Sequence, residues 1–154
     1  MKRSTWIFIC IFSSELGFAQ TGQIDSLQRI IALQRHDTTE INALISLTFE
    51  FSRKDLVKTQ AYANQAVSLA RALHDDRQLG NGYFYLVSCH QNNGKRDSAV
   101  YYLDLLGKLS AKNPTMVKMA ANYNQAAGLF YKNSGEPKKA LVYKIGRASC
   151  RERV

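Results

Sequence analysis

Three histidines, three cysteines and one pair of adjacent carboxylates are the side chains of this 154-residue sequence best equipped for catalysis or metal binding. His36, His74 and His90 fall at predicted turns or on a helix, and no two have the spacing that places paired zinc ligands on one helix face. His74, Asp75 and Asp76 stand together and carry the atoms a cation needs. That run also lies where one helix gives way to the next, and a carboxylate there serves as the cap of the following helix. Gly80 and Gly82 form only G-x-G, inside a helical stretch with no strand before it, so they predict close helix packing rather than a phosphate loop. Cys10 lies in an apolar run near the start and Cys150 close to the end of the chain. Cys89 remains, in "YFYLVSCH", where its neighbours predict a buried thiol. Alone, it allows no internal disulfide. No acid, base and nucleophile converge. The expectation is a chain that is not an enzyme, with no catalytic residues, no metal ligands and no cofactor.

Charge narrows the class further. The formal net charge of +9 divides into a small excess in residues 1–20, another in residues 145–154, and sixteen basic against ten acidic residues scattered between them. A scattered excess predicts a solvated surface rather than a nucleic-acid footprint, so no nucleic acid is expected as partner. Apolar residues make up 45%, and only two prolines and nine glycines interrupt them, which fits one globular domain or one short repeat array.

The two ends read differently from the middle. Met1-Lys2-Arg3, the apolar run Trp6–Phe12 and the small residues at Gly17-Phe18-Ala19 have the three-part form of an export signal over residues 1–19. The run is short of the ~18–20 residues a spanning helix needs, although Glu15 before the cleavage site leaves an uncleaved anchor open. At the other end the helical rhythm holds to Tyr143. The final "IGRASCRERV" resembles, residue for residue, the translation of a common short-read sequencing adapter. Residues 145–154 are therefore expected to be adapter-derived, their arginines and Cys150 without function, and the chain frayed beyond about Ile145.

Helical periodicity fills the rest. Residues 20–36 predict a leading helix with Ile24, Leu27, Ile30 and Ile31 on one stripe. Asp37 and Glu40 have capping-box spacing and start a helix running to about Phe51. A third begins near Asp55 and buries Leu56, Ala63, Ala66, Ala70 and Leu73. Two more are joined at Gly94, which can end a helix in the left-handed conformation. The next starts with Asn113 as cap and Pro114 in its first turn, on a stripe of Met116, Ala120, Tyr123, Ala127 and Phe130. Gly135 ends it, and Pro137 opens the last.

These helices repeat. A shift of 41 carries Asn92, Gly94, Ala99, Val100 and Tyr102 onto Asn133, Gly135, Ala140, Leu141 and Tyr143, and a shift of 40 carries Ala66 onto Leu106 and Thr59 onto Ala99. The fold class expected is all-α: a helix–turn–helix repeat array with units at 37–75, 76–112 and 113–144, the third cut short. The units resemble tetratricopeptide repeats. Gly128, Tyr131, Gly135 and Ala140 supply that family's small residue, aromatic, turn glycine and alanine in the third unit. The second keeps Gly94 and Ala99 but has Val87 and His90 in place of the first two. The first unit keeps Ala66, has Thr59 for an alanine and lacks a turn glycine in "SRKD".

The resemblance implies a right-handed superhelix with a concave groove for a protein or peptide partner. By register, the groove positions are Asn81, Phe84, Ser88 and Gln91 in the second unit and Asn122, Gln125, Leu129 and Lys132 in the third. The lysine–asparagine clamp with which some family members hold C-terminal carboxylates is not reproduced. Asp25-Ser26-Leu27 and His36-Asp37-Thr38 are similar to stretches that open the exported repeat regions of membrane histidine kinases and helix-turn-helix regulators. That likeness implies a periplasmic sensory or scaffolding segment, touching a membrane only through a region further downstream. The competing expectation is a free-standing exported scaffold for envelope assembly.

Overall fold

In the computed structural model, which describes residues 22–151, carboxylates start three of the helices. Helix α1 (22–32) leads the array. Helix α2, Thr38–Phe51, begins at Asp37, whose Oδ1 accepts from the N–H groups of Thr39 and Glu40 at 2.9 and 3.0 Å. Glu40 reaches back as a capping box requires, but accepts from the N–H of His36 at 2.8 Å, one residue before the usual target. Asp55 caps α3, Leu56–Ala72, through Lys58 N–H at 3.0 Å, and Asp75 caps α4, Asp76–Asn92, through Gln78 N–H at 3.0 Å. Helices α5 (Arg96–Lys112), α6 (Val117–Asn133) and α7 (Pro137–Arg151) complete the array, and no strand occurs among the described residues. The predicted export signal lies outside them.

Two boundaries differ from expectation. Helix α6 starts at Val117, not at Asn113-Pro114. Asn113 instead ends α5, and its amide donates to Asp76 Oδ2 at 2.9 Å and to the Leu109 carbonyl at 3.1 Å, ties that hold it at the α5 end. Nor does the chain fray at Ile145: α7 continues to Arg151. Gly146 lets it pass Asn124 closely, since a Cβ there would lie 3.1 Å from the amide nitrogen, and Asn124 Nδ2 donates to Cys150 Sγ at 3.8 Å. Little apolar surface is covered by this extension, for Ile145, Arg147 and Ala148 are exposed. The burial stripes also shift. Leu73 is 41% exposed at the end of α3, and α6 buries Met119 and Ala126 while Met116, Ala120 and Tyr123 are only half-buried.

The turns meet the backbone needs of the sequence. Gly94 and Gly135 adopt φ of 68° and 75°, and the next N–H bonds five residues back in both: Lys95 to His90 and Glu136 to Tyr131, each at 2.9 Å. His74 does the same job after α3 at φ 54°, with Asp75 N–H on the Ala70 carbonyl at 2.9 Å. The first unit has no glycine, and its chain never turns left-handed between α2 and α3. Ser52 stays right-handed and Asp55 N–H closes on the Phe51 carbonyl at 2.9 Å.

Repetition is visible in packing as well as in boundaries. The start and end of α4, Asp76 and Asn92, lie 41 before those of α6, Val117 and Asn133. Those of α3, Leu56 and Ala72, lie 40 before those of α5, Arg96 and Lys112. Each unit stacks an aromatic from the end of its first helix on a tyrosine of its second: Phe51 on Tyr62 at 5.8 Å, His90 on Tyr102 at 5.3 Å, Tyr131 on Tyr143 at 5.5 Å. Small residues let backbones nest where helices cross, and Ala63, Ala66, Ala70, Ala99, Ala127 and Ala140 are all buried. Gly82 is the tightest approach: a Cβ there would lie 2.5 Å from Val67 Cγ2.

Helices α2, α4 and α6 pack side by side as an inner layer, while α3 and α5 lie outside it and α7 packs on α6. Among the described residues the outer helices do not pack on one another. An open cleft of about 520 Å³, walled by Val67, Ser68, Arg71, Tyr101 and Tyr102, separates α3 from α5. A layer whose members touch, backed by one whose members stand apart, curves toward the touching side. The concave face is therefore built by α2, α4 and α6.

Candidate functional site: the inner face of α2, α4 and α6

The stacked aromatics Phe51, His90 and Tyr131 fix which inner-helix residues are equivalent, at a spacing of 39 between the first two units and 41 between the next two. Four rows then cross the inner face. Asn42, Asn81 and Asn122 form the first, Ile45, Phe84 and Gln125 the second. Phe49, Ser88 and Leu129 form the third, and Ser52, Gln91 and Lys132 the last.

The first row is joined by hydrogen bonds into one chain of amides. Asn122 Nδ2 donates to Asn81 Oδ1 at 3.1 Å, Asn81 Nδ2 to Gln78 Oε1 at 2.8 Å, and Gln78 Nε2 to Asn42 Oδ1. Every link runs in the same direction, from α6 to α2. Amides satisfied by one another are held in fixed orientation, and each retains acceptor or donor capacity toward a ligand, because a primary amide makes up to four bonds.

Beside this chain lies a hollow of about 480 Å³ that draws on all three inner helices: Ile45 from α2, Phe84 and Tyr85 from α4, and Lys118, Asn122 and Gln125 from α6. Arg147 of α7 stands at its edge. Phe84 packs its ring edge-to-face on Tyr85 at 5.4 Å, and burial pushes the Tyr85 phenol above its ordinary pKa of 10.0, so it stays a neutral hydrogen-bonding group. A second hollow of about 450 Å³, walled by Arg77, Thr115, Met116 and Val117, adjoins the first through Asn81 and Lys118, which line both.

Of the groove positions expected from sequence, Asn81, Phe84, Asn122 and Gln125 come together around these hollows. The other four do not. Ser88 is half-buried and donates to the Phe84 carbonyl of its own helix at 3.2 Å. Gln91 borders a separate small hollow of about 130 Å³ with Arg96, Phe130 and Ser134. Leu129, 43% exposed, and Lys132, also exposed, both lie outside the main hollows. Asn42, Ile45, Gln78, Tyr85 and Lys118 were not anticipated. Carrying Asn81 and Phe84 back by 39 reaches Asn42 and Ile45, but the shifts legible in the sequence were 40 and 41.

The residues with chemical potential are placed in structural roles. Asp75 caps α4, and Asp76 accepts from Asn113 and from Lys112 Nζ at 3.1 Å, partners that hold its carboxyl below the ordinary carboxylate range. The three-way tie fastens the start of α4 to the end of α5. Cys89 is buried, its thiol donates to the Leu56 carbonyl at 3.3 Å, and burial raises its pKa, the opposite of an activated nucleophile. Among the described residues no three ligating side chains gather as a metal site, and no helix is long and apolar enough to cross a membrane.

Compared with protein-family models, curated proteins and solved structures, the chain finds no significant match in any of the three. What fold and face define together is an all-helical repeat array whose inner layer presents a row of ordered amides beside an aromatic hollow.

Proposed function

We propose that this chain is a protein-recognition module of tetratricopeptide-repeat type, and that the face of α2, α4 and α6 holds an extended segment of a partner protein. The observation that carries the reading is the amide chain from Asn122 through Asn81 and Gln78 to Asn42, running beside the hollow of Ile45 and Phe84. Backbone N–H and C=O groups of an extended peptide need partners when they leave water, and oriented side-chain amides offer both a donor and an acceptor. The aromatic and aliphatic wall beside them takes an apolar side chain. Phe49, 64% exposed, and Leu129 extend that apolar surface along the same face.

In the whole protein this module serves as the periplasmic sensory or scaffolding part of a membrane signalling protein. The export-like start and the Asp25-Ser26-Leu27 and His36-Asp37-Thr38 stretches favour that reading. A free-standing envelope scaffold is the alternative, and the genomic sequence beyond codon 144 separates them: a spanning segment followed by a kinase or DNA-binding region, or a stop codon after further repeats. Recognition itself is tested by Phe84→Ala and Gln125→Ala. Both side chains are half-buried on the face, so the variants should keep their helicity while a captured partner binds about tenfold more weakly. Normal binding by both variants rejects the face as the site.

A further inference from the structure

The charge lining the hollows of this face is one-sided, and it recurs between the second and third units, although the equivalent position in the first is Thr38. Arg77 and Lys118 are equivalent residues, 41 apart, each in the first turn of an inner helix. Both border the hollow that Asn81 shares with α6. Neither enters any of the ion pairs among the described residues, which engage Arg35, Lys58, Arg96, Lys108, Lys112 and Lys139. No Asp or Glu lines either hollow, and the first turn of α6 carries no acidic residue. The nearby carboxylate of Asp76 is already taken by Lys112 and Asn113. Two exposed cations at one register, outside every one of those ion pairs and above an apolar floor, are available to an anionic partner.

Resting on the recognition function proposed above, we infer that the segment held on this face is acidic: an extended peptide whose Asp or Glu side chains meet Arg77 and Lys118 while an apolar or aromatic side chain enters the hollow of Ile45 and Phe84. Neighbouring packed helices stand roughly 8–10 Å apart, and an extended chain advances about 3.3 Å per residue. The two carboxylates therefore belong about two to four residues apart. The assignment stands on Arg77 and Lys118 without Arg147, which lies in the segment resembling adapter sequence. Side-chain carboxylates differ from the C-terminal carboxylate that the missing clamp would hold. Single-stranded nucleic acid is the weaker candidate for the same cations. Its backbone needs a longer basic track and exposed stacking platforms, whereas the floor here is Ile45, Met116 and Val117 with a Phe84 ring half-buried against Tyr85.

The test is selection of phage-displayed random twelve-residue peptides on the full chain. The recovered peptides are then synthesised with a fluorescent label and measured by anisotropy against wild type, Arg77→Glu/Lys118→Glu and Phe84→Ala/Gln125→Ala. Arg77 and Lys118 are exposed, so the charge-reversal variant keeps its fold, as far-UV circular dichroism will report. The inference expects peptides enriched in Asp and Glu around one apolar residue. It expects affinity about tenfold lower on charge reversal, and a marked further loss when salt is raised well above physiological strength. Neutral or basic peptides that ignore charge reversal but lose affinity in Phe84→Ala/Gln125→Ala would overturn the acidic assignment and leave recognition by the face standing. Peptides indifferent to both variants, or no enrichment over an unrelated helical protein, would overturn both. Displacement of the acidic peptides by an equal concentration of single-stranded RNA twelve-mer would overturn the choice of peptide over nucleic acid.

Discussion

Gly82→Ala isolates the closest helix approach in the array. In a helix interior this change ordinarily stabilises by about 1 kcal/mol, so a loss here must come from the crossing with α3. The new methyl would sit 2.5 Å from Val67 Cγ2, where carbon atoms prefer about 3.5–4 Å. Val67 is 7% exposed, and a β-branched side chain in a helix has essentially one rotamer, so it cannot swing aside. The Ala63 carbonyl, 3.6 Å from the same point, limits any slide of the two helices. Overpacking of this kind costs about 1–3 kcal/mol, and the rigidity of Val67 puts the site near the upper end. The expected net loss is about 1–2 kcal/mol, or roughly 3–8 °C in melting temperature for a domain of this size. Gly80→Ala is the internal control. Its methyl would meet Met119 Cε at 3.1 Å and Cγ at 3.2 Å, a milder contact with an unbranched, adaptable side chain that need shift only slightly. The helix gain of about 1 kcal/mol should roughly offset it, so the change should be near neutral or slightly stabilising. Thermal melts monitored by far-UV circular dichroism compare the two. Adding Val67→Ala to Gly82→Ala should recover part of the loss, with a coupling of about 1 kcal/mol or more. If Gly82→Ala leaves the melting temperature unchanged or raises it, as Gly80→Ala should, the α3–α4 crossing described above is wrong.

His74→Gly relieves a side chain held at φ 54°, a conformation that costs about 1–2 kcal/mol and is only partly offset by glycine's freer unfolded chain. Its urea midpoint should rise by the equivalent of about 0.5–1 kcal/mol, and a fall would contradict the turn geometry. His90 is buried against Tyr102 with Nδ1 unpartnered, and burial, reinforced by the charge of Lys95, lowers its pKa from the ordinary 6.5. A base with a depressed folded pKa takes up protons more readily when unfolded. Its neutral form stabilises the fold fully above about pH 6.5, and that contribution is lost as pH falls through the unfolded value toward the folded one. His90→Phe, matching Phe51 and Tyr131 in the neighbouring units, should therefore gain more stability near pH 5 than near pH 7.5, as parallel denaturation at the two values will show. Deleting residues 145–154 removes three exposed residues and only half-buried Gly146, Ser149 and Cys150 among those whose burial is described. It should lower stability by less than about 1 kcal/mol, and a drop of several degrees on melting would mean that the extension carries real packing.

The helices and their order were legible because their signals are local. Asp37, Asp55 and Asp75 each cap the helix that begins just after them, and Gly94 and Gly135 supply the backbone freedom their turns use. Asn113 misled because its amide is committed to Asp76, far away in sequence, a tie that only the packed array creates. Helix α7 ran past the expected stop because nothing in "KIGRASC" forbids a helix, and α6 is long enough to receive it. For the face, the 41 register correctly paired Asn81 with Asn122, but the first unit is offset by 39. Asn42 and Ile45 were therefore invisible until the stacked aromatics fixed the alignment. His74 in a left-handed turn was likewise hidden, since histidine carries no such preference as strong as glycine's.

The central claim, that the inner face is where this array meets its partner, is tested most directly by nuclear magnetic resonance. A peptide recovered by selection would be titrated into isotopically labelled protein. The side-chain amide signals of Asn81, Asn122 and Gln125 and the backbone signal of Phe84 should shift and saturate together. Those of Asn64, Ser68 and Tyr101, in the cleft between α3 and α5, should stay in place. Shifts confined to the outer cleft, with the inner amides unmoved, would contradict the account.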